Sequence, residues 1–225
     1  MTELLVYCDD ATGERVGLGA AEVGEWSAAT AALLTEECGL APGDLVAVLL
    51  PPHWQTAVVL LGAWSAGMAV SFPEWAPAGP FEATFVERRR VGSWIDEVPS
   101  ARHQFALGPG SPLADVPPDY RDFLTAVRPH LGAAPPAWPS NLRAASAFGE
   151  YEAVALEVAA SQGIRRGDRV LIDLTTASTQ PLMWLLAPLS VGASVVLCAN
   201  LAPGTAETRA TAEGATQVLP RSPIR

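Results

Sequence analysis

The stretch Gly39-Leu40-Ala41-Pro42-Gly43-Asp44-Leu45-Val46-Ala47-Val48-Leu49-Leu50 decides the fold, because the chain repeats it. A long uncharged segment carries the first copy on to Ala66-Gly67-Met68-Ala69-Val70. The second copy reads Gly163-Ile164-Arg165-Arg166-Gly167-Asp168-Arg169-Val170-Leu171-Ile172 and runs on to Val191-Gly192-Ala193-Ser194-Val195-Val196. Gly43 precedes Gly67 by 24 positions and Gly167 precedes Gly192 by 25. Upstream of each copy stands a Gly-Glu-aromatic triplet, Gly24-Glu25-Trp26 and Gly149-Glu150-Tyr151, followed by an Ala-rich run. Self-similarity at this scale marks a duplicated supersecondary unit.

Working outward, Trp26, Ala29, Leu33 and Leu34 form an apolar stripe at helical spacing, which predicts a helix over 22–38 with Gly39 as its cap. Leu45 to Leu50 have no polar alternation, as expected of a parallel strand covered on both faces. A helix over 54–66 and a strand over 68–72 follow, completing a βαβ crossover. A short helix is expected over 81–90, a strand over 104–107 and a helical patch over 120–127. The second copy predicts helices over 151–161, 183–191 and 205–213, and strands over 170–174, 194–198 and 216–219. The expected fold is α/β: layered, mostly parallel sheet or sheets with helices on both faces, built from two repeated helix-strand-helix-strand units. Residues 1–108 form the first unit, 109–145 a Pro-rich connector and 146–225 the second, in one compact two-lobed domain.

The 225 residues are 49% hydrophobic, enough for a sizeable core, and carry a formal charge of −10. That balance argues against nucleic acid, whose phosphates need clustered basic residues, and Arg88-Arg89-Arg90 is too short a run to supply them. There is no lysine, so Schiff-base chemistry and a Gly-Lys phosphate loop are excluded. Cys8, Cys38 and Cys198 are far apart and at no metal or disulfide spacing, which fits a reducing cytoplasm. The first residues, Met1-Thr2-Glu3-Leu4, show no basic or apolar leader region. Two uncharged runs, over 45–73 and 174–206, are broken by Pro51-Pro52-His53-Trp54-Gln55 and by 175–181, too short in pieces to span a membrane.

The order helix, Gly-x-x-Pro-Gly-Asp, apolar strand, Pro, uncharged helix, Ala-Gly-x-x-Val resembles the opening of the adenylate-forming superfamily, which includes the acyl-CoA synthetases. The second copy, through Ala187-Pro188-Leu189-Ser190-Val191-Gly192-Ala193, is similar to the next section of the same superfamily. The resemblance covers residues 16–75 and 149–200. It implies a Ser/Thr/Gly-rich phosphate loop ending in Pro-Lys-Gly between the copies, but residues 138–149 hold no Gly run and no Lys. The family's adenine and ribose motifs and its C-terminal lid would lie beyond residue 225. No catalytic residue carries over, and neither a cofactor nor a metal is expected.

Candidate ligand-binding residues come from strand ends, where ligands gather in doubly wound sheets. His53 follows the first strand, and Thr175, Thr176, Ser178 and Thr179 follow its counterpart in the second copy. The hydroxyls suit an anion beside a helix N-terminus, or equally serve as ordinary helix caps. Asp44 and Asp168 read as turn residues binding their own backbone. His103 and His130 stand in no recognisable constellation.

Two functional readings follow. One is a degenerate acyl-CoA synthetase-like protein, a non-catalytic pseudoenzyme with a binding or interaction role, a homodimer or protein partner covering an apolar face. The alternative is a small-molecule enzyme or binding domain whose crevice takes an acyl, aryl or nucleotide-like ligand.

Overall fold

The computed structural model describes residues 3–72, 79–92, 98–108, 112–134 and 144–220. Two five-stranded sheets, each mostly parallel and flanked by helices, organise two compact units. Most of the phosphate-loop counterpart over 138–149 lies outside the described residues or side chains.

The first unit comprises Met1–Val23, Pro52–Trp54 and Phe148–Arg225. It contains β1 (Glu3–Asp9), β2 (Glu14–Gly19), the start of α1 (Ala20–Ala32), most of α4 (Ala144–Gln162), β8 (Arg169–Asp173), α5 (Ala187–Ser190), β9 (Ser194–Ala199), α6 (Ala206–Glu213) and β10 (Gln217–Leu219). The strand order is β10-β8-β9-β1-β2, parallel except for the β1–β2 hairpin. Alternation along the strands sends Val6, Cys8, Leu171, Val196 and Cys198 to one face, where they pack with Leu201 and with Ala210 of α6. The expected helix over 183–191 begins as a π-helical turn, Leu182–Leu186, and continues as α5.

The second unit comprises Gly24–Pro51 and Gln55–Ala147. It holds the rest of α1, which ends in a π-helical turn over Leu33–Glu37, then β3 (Leu45–Leu49), α2 (Trp54–Ser65) apart from Trp54, β4 (Ala69–Ser71), β5 (Phe81–Glu87), β6 (Ala101–Leu107), β7 (Arg121–Asp122) and α3 (Phe123–Val127). The order β4-β3-β5-β6-β7 is parallel throughout. Its core stacks Phe85 on Phe105, with Phe123 edge-on to Phe85.

The sequence repeat is reproduced bond for bond. Gly43 N–H donates to Gly67 O at 2.8 Å and Gly167 N–H to Gly192 O at 3.2 Å. The Asp44 carboxylate accepts from Ala41 N–H at 2.8 Å, and Asp168 from Arg165 N–H at 2.7 Å. Gly43 and Gly167 take φ of 95° and 84°, a left-handed turn that a side chain would strain. Both aspartates are therefore turn residues.

One expected element is corrected. Residues 81–90 form strand β5 and a single 3-10 turn, Arg88–Arg90, rather than a helix. Phe81, Ala83, Phe85 and Thr84, Val86 alternate across a strand hydrogen-bonded on both sides, to β3 and to β6. Aromatic and β-branched residues suit that central position. Among the described side chains of α4, Ala155 and Ala159 are buried, whereas Val154 and Leu156 are 43% and 45% exposed.

Candidate functional site

The hydroxyl cluster lies just past the carboxyl end of β8, and a carboxylate fills it. Asp173, the last residue of β8, accepts from Thr175 N–H at 2.9 Å, from Thr175 Oγ1 at 2.6 Å and from Thr176 Oγ1 at 3.3 Å. This is an Asx turn reinforced by a threonine hydroxyl. Ser178 Oγ accepts from Gln180 N–H at 3.2 Å, and Thr179 contributes its carbonyl to the indole N–H of Trp184 at 3.1 Å. Trp184 is itself buried, so this bond satisfies a donor that has left water. Negative charge thus stands where an anionic ligand would need donors.

Two concavities meet at this end of the sheet, on opposite faces, and both are bordered by Thr176 and Pro220. One is a narrow, mostly apolar pocket of about 90 Å³, shaped by Ile172, Met183, Trp184 and Leu219, with Ser178 and Gln162 at its rim. The other is an open groove of about 850 Å³ between α6 and β10, floored by Ala206, Ala210, Ala215 and Val218 and edged by Asp173, Glu207 and Thr216.

His53 lies on the face away from α6, packed edge-on against the Tyr7 ring at 4.2 Å. Its Nε2 is 3.9 Å from Glu14 Oε1, and its side chain is 12% exposed. Burial pushes the imidazole down to about 4, so it is neutral at pH 7. Burial, assisted by Asp9, pushes the Glu14 carboxyl up. A histidine titrating this low is a weak base, poorly matched to proton transfer at neutral pH. His53 packs on β1, and the hydroxyl turn folds onto the end of β8, with β9 between those strands.

Three groupings escaped the sequence reading. Arg15 forms bidentate pairs with Glu3 and with Glu213, and Arg169 bonds Glu3 Oε2 and the Glu213 carbonyl. The Arg15 guanidinium is the main cause holding both glutamates below the usual carboxylate range. Glu37 accepts from Arg121 and from His130 Nε2, the latter at 2.7 Å. Cys8 and Cys198 are paired across β1 and β9. Nothing in residue spacing signals these groupings, because each joins segments distant in sequence. Among the described residues no cluster of His, Cys, Asp or Glu is arranged to hold a metal ion, and no helix is long and apolar enough to cross a membrane.

Comparison with solved structures identifies the architecture. An acyl-CoA synthetase of Brucella canis superposes with a TM-score of 0.66 at 19% identity, over 96% of this chain and 44% of its own. The acetoacetyl-CoA synthetase of Streptomyces lividans gives 0.65 at 19%, over 96% and 39%. The anthranilate CoA ligase AuaEII, solved with anthranoyl-AMP, gives 0.60 at 15%, over 94% and 44%. The fold is therefore shared with part of each of these enzymes, and the chain spans less than half the length of each. No protein-family model matches the sequence. A protein of Mycobacterium tuberculosis described as a TIGR03089 family protein is 34% identical over 220 residues, 96% of this chain and 90% of its own length. With that identity sustained over nearly the whole of both chains, the protein belongs to the TIGR03089 family.

Proposed function

We propose that this protein is a non-catalytic member of the acyl-CoA synthetase-like fold, a pseudoenzyme that binds rather than activates. The observation that carries this reading is Asp173. Its carboxylate takes up the Thr175 and Thr176 hydroxyls at the strand end that would otherwise be free to meet phosphate oxygens. Adenylation must stabilise charge developing on the α-phosphate, and it does so with oriented donors and cations. Here the strand end presents an anion, and no lysine exists in the sequence to offset it. Exposed Val154 and Leu156 on α4 support an interaction role, with a homodimer or protein partner covering them. The three buried free cysteines support a cytoplasmic setting.

The test is ATP–pyrophosphate exchange with a panel of fatty, aryl and short-chain acids, paired with sedimentation of the dilute protein. No exchange and a species larger than monomer are expected. Exchange above background with any acid refutes the non-catalytic reading, and monomer at all concentrations refutes the homodimer.

The apolar pocket of about 90 Å³ walled by Met183, Trp184 and Leu219 favours a second reading, a small acyl or aryl ligand held without activation. Such a ligand raises the melting temperature in proportion to ln(1 + [L]/Kd). A flat response to the same acids, CoA, AMP and ATP removes it.

A further inference from the structure

We propose that Cys8 and Cys198 form a cross-strand dithiol that peroxide converts to a disulfide, a redox modification site reached through the groove beside α6. The two residues are direct register partners in the parallel strands β1 and β9. Neighbouring strands run about 4.8 Å apart, and opposed residues project to the same face. That spacing lies inside the Cα–Cα range of about 4.4–6.8 Å that a disulfide requires. Cys8 Sγ donates to Glu213 Oε1 at 3.6 Å, and both cysteines lie in the same buried apolar cluster. Cys38 belongs to the other unit and is buried there.

Core thiols are ordinarily inert because nothing reaches them. Here the cover is thin. The residues flooring the open groove, Ala206, Ala210, Ala215 and Val218, belong to the apolar cluster that contains both cysteines. α6 spans eight residues, and Ala210 is its buried residue. A short helix with one buried residue is the thinnest part of that cover, and its local opening requires releasing Glu213 from Arg15 and Arg169.

The chemistry balances with hydrogen peroxide as oxidant. Cys8 Sγ attacks one peroxide oxygen and the O–O bond breaks. The thiol proton is released to solvent, and the leaving hydroxide takes up a proton and departs as water. The resulting sulfenic acid is attacked by Cys198 Sγ. The S–O bond breaks, hydroxide leaves with the Cys198 proton as a second water, and an S–S bond joins β1 to β9. Two thiols lose two electrons, and one peroxide becomes two waters.

The experiment treats the wild-type chain with a modest excess of hydrogen peroxide at neutral pH, then counts thiols under denaturing conditions and maps peptides. Thiols fall from the three of the reduced chain to one. A cross-linked pair of Arg-ended peptides carrying Cys8 and Cys198 appears, lighter by two hydrogens. The melting temperature rises by about 5 °C or more, as expected for a long-loop disulfide, and falls back on reduction. In Cys198→Ser the reaction stops at a sulfenic acid on Cys8 that a dimedone probe traps. Retention of all three thiols, a disulfide mapping to Cys38, or direct over-oxidation of Cys8 with no cross-link overturns the proposal. The wild-type peptide map decides it even if a serine variant fails to fold.

Discussion

Replacing Gly62 with alanine should destabilise the protein even though alanine is the better helix former. Gly62 lies on α2, and its missing side chain is the space into which α1 packs. A Cβ built there falls 2.6 Å from Thr30 Cβ, 2.7 Å from the Ser27 carbonyl oxygen and 2.9 Å from Thr30 Cγ2. Thr30 is fully buried, and its hydroxyl donates to Trp26 O at 2.9 Å, so it has no free rotamer into which to retreat. The Ser27 oxygen is backbone and moves only with its helix. Gly→Ala gains about 1 kcal/mol of helix propensity. Overpacking of this kind costs about 1–3 kcal/mol, and two contacts under 3 Å with a β-branched side chain place it at the upper end. The net loss is about 2 kcal/mol, or about 4–8 °C in melting temperature for a chain of this size. Urea unfolding followed by circular dichroism measures it. Thr30→Gly removes two of the three clashes, so in that background Gly62→Ala should cost about 1 kcal/mol less. Gly62→Ala equal to or more stable than the parent, or no coupling between the two sites, refutes the packing argument.

Two further outcomes follow. His53 titrates near 4 in the fold against 6.5 in the open chain, so between those values the unfolded state binds the extra proton. Its contribution to stability is complete above pH 6.5 and is lost as pH falls toward 4, by about 3 kcal/mol in all. His53→Phe should flatten that part of the stability–pH curve, and an unchanged slope from pH 6.5 to 4 rules the assignment out. Asp173→Ala should cost about 1–2 kcal/mol by releasing the turn. It should also give a thermal shift with ATP or inorganic phosphate where the parent gives none; a parent that already responds contradicts the role assigned to this carboxylate.

How far the sequence could be read depended on how local each feature is. The Gly-Asp turns were legible because Asp44 and Asp168 bond backbone three residues away. The apolar strands β3 and β8 were legible because burial on both faces removes polar alternation. β5 was misread, since Phe81-Glu82-Ala83-Thr84-Phe85-Val86-Glu87 runs into an arginine triplet that also suits a helix, and its pairing to β3 and β6 is set by distant segments. β1 lies outside the repeat, which begins at Gly24, although Leu4-Leu5-Val6-Tyr7-Cys8 is an apolar run of strand type. At the candidate site the threonines are legible as hydroxyls at a strand end, and the carboxylate two residues before them completes the pattern. Asp173-Leu174-Thr175-Thr176 carries an Asx-turn signature that makes Asp173 their natural partner. His53 stands after the first strand in the sequence, and only the fold shows that it packs edge-on against Tyr7.

The sheet that contains β1 also has a temporal consequence. Asn200, just past β9, bonds the side chain of Asp9 at the end of β1, and 191 positions separate them. During synthesis the β1–β2 hairpin emerges early and finds no neighbour to pair with, while the second unit, drawn from residues 24–147, can already collapse. An isolated two-stranded hairpin is marginal in water. Leu5, Val6, Tyr7 and Cys8 must therefore wait, apolar and unshielded, for more than half the chain to leave the ribosome. That interval, rather than the finished molecule, is when the hairpin's apolar residues are most open to aggregation.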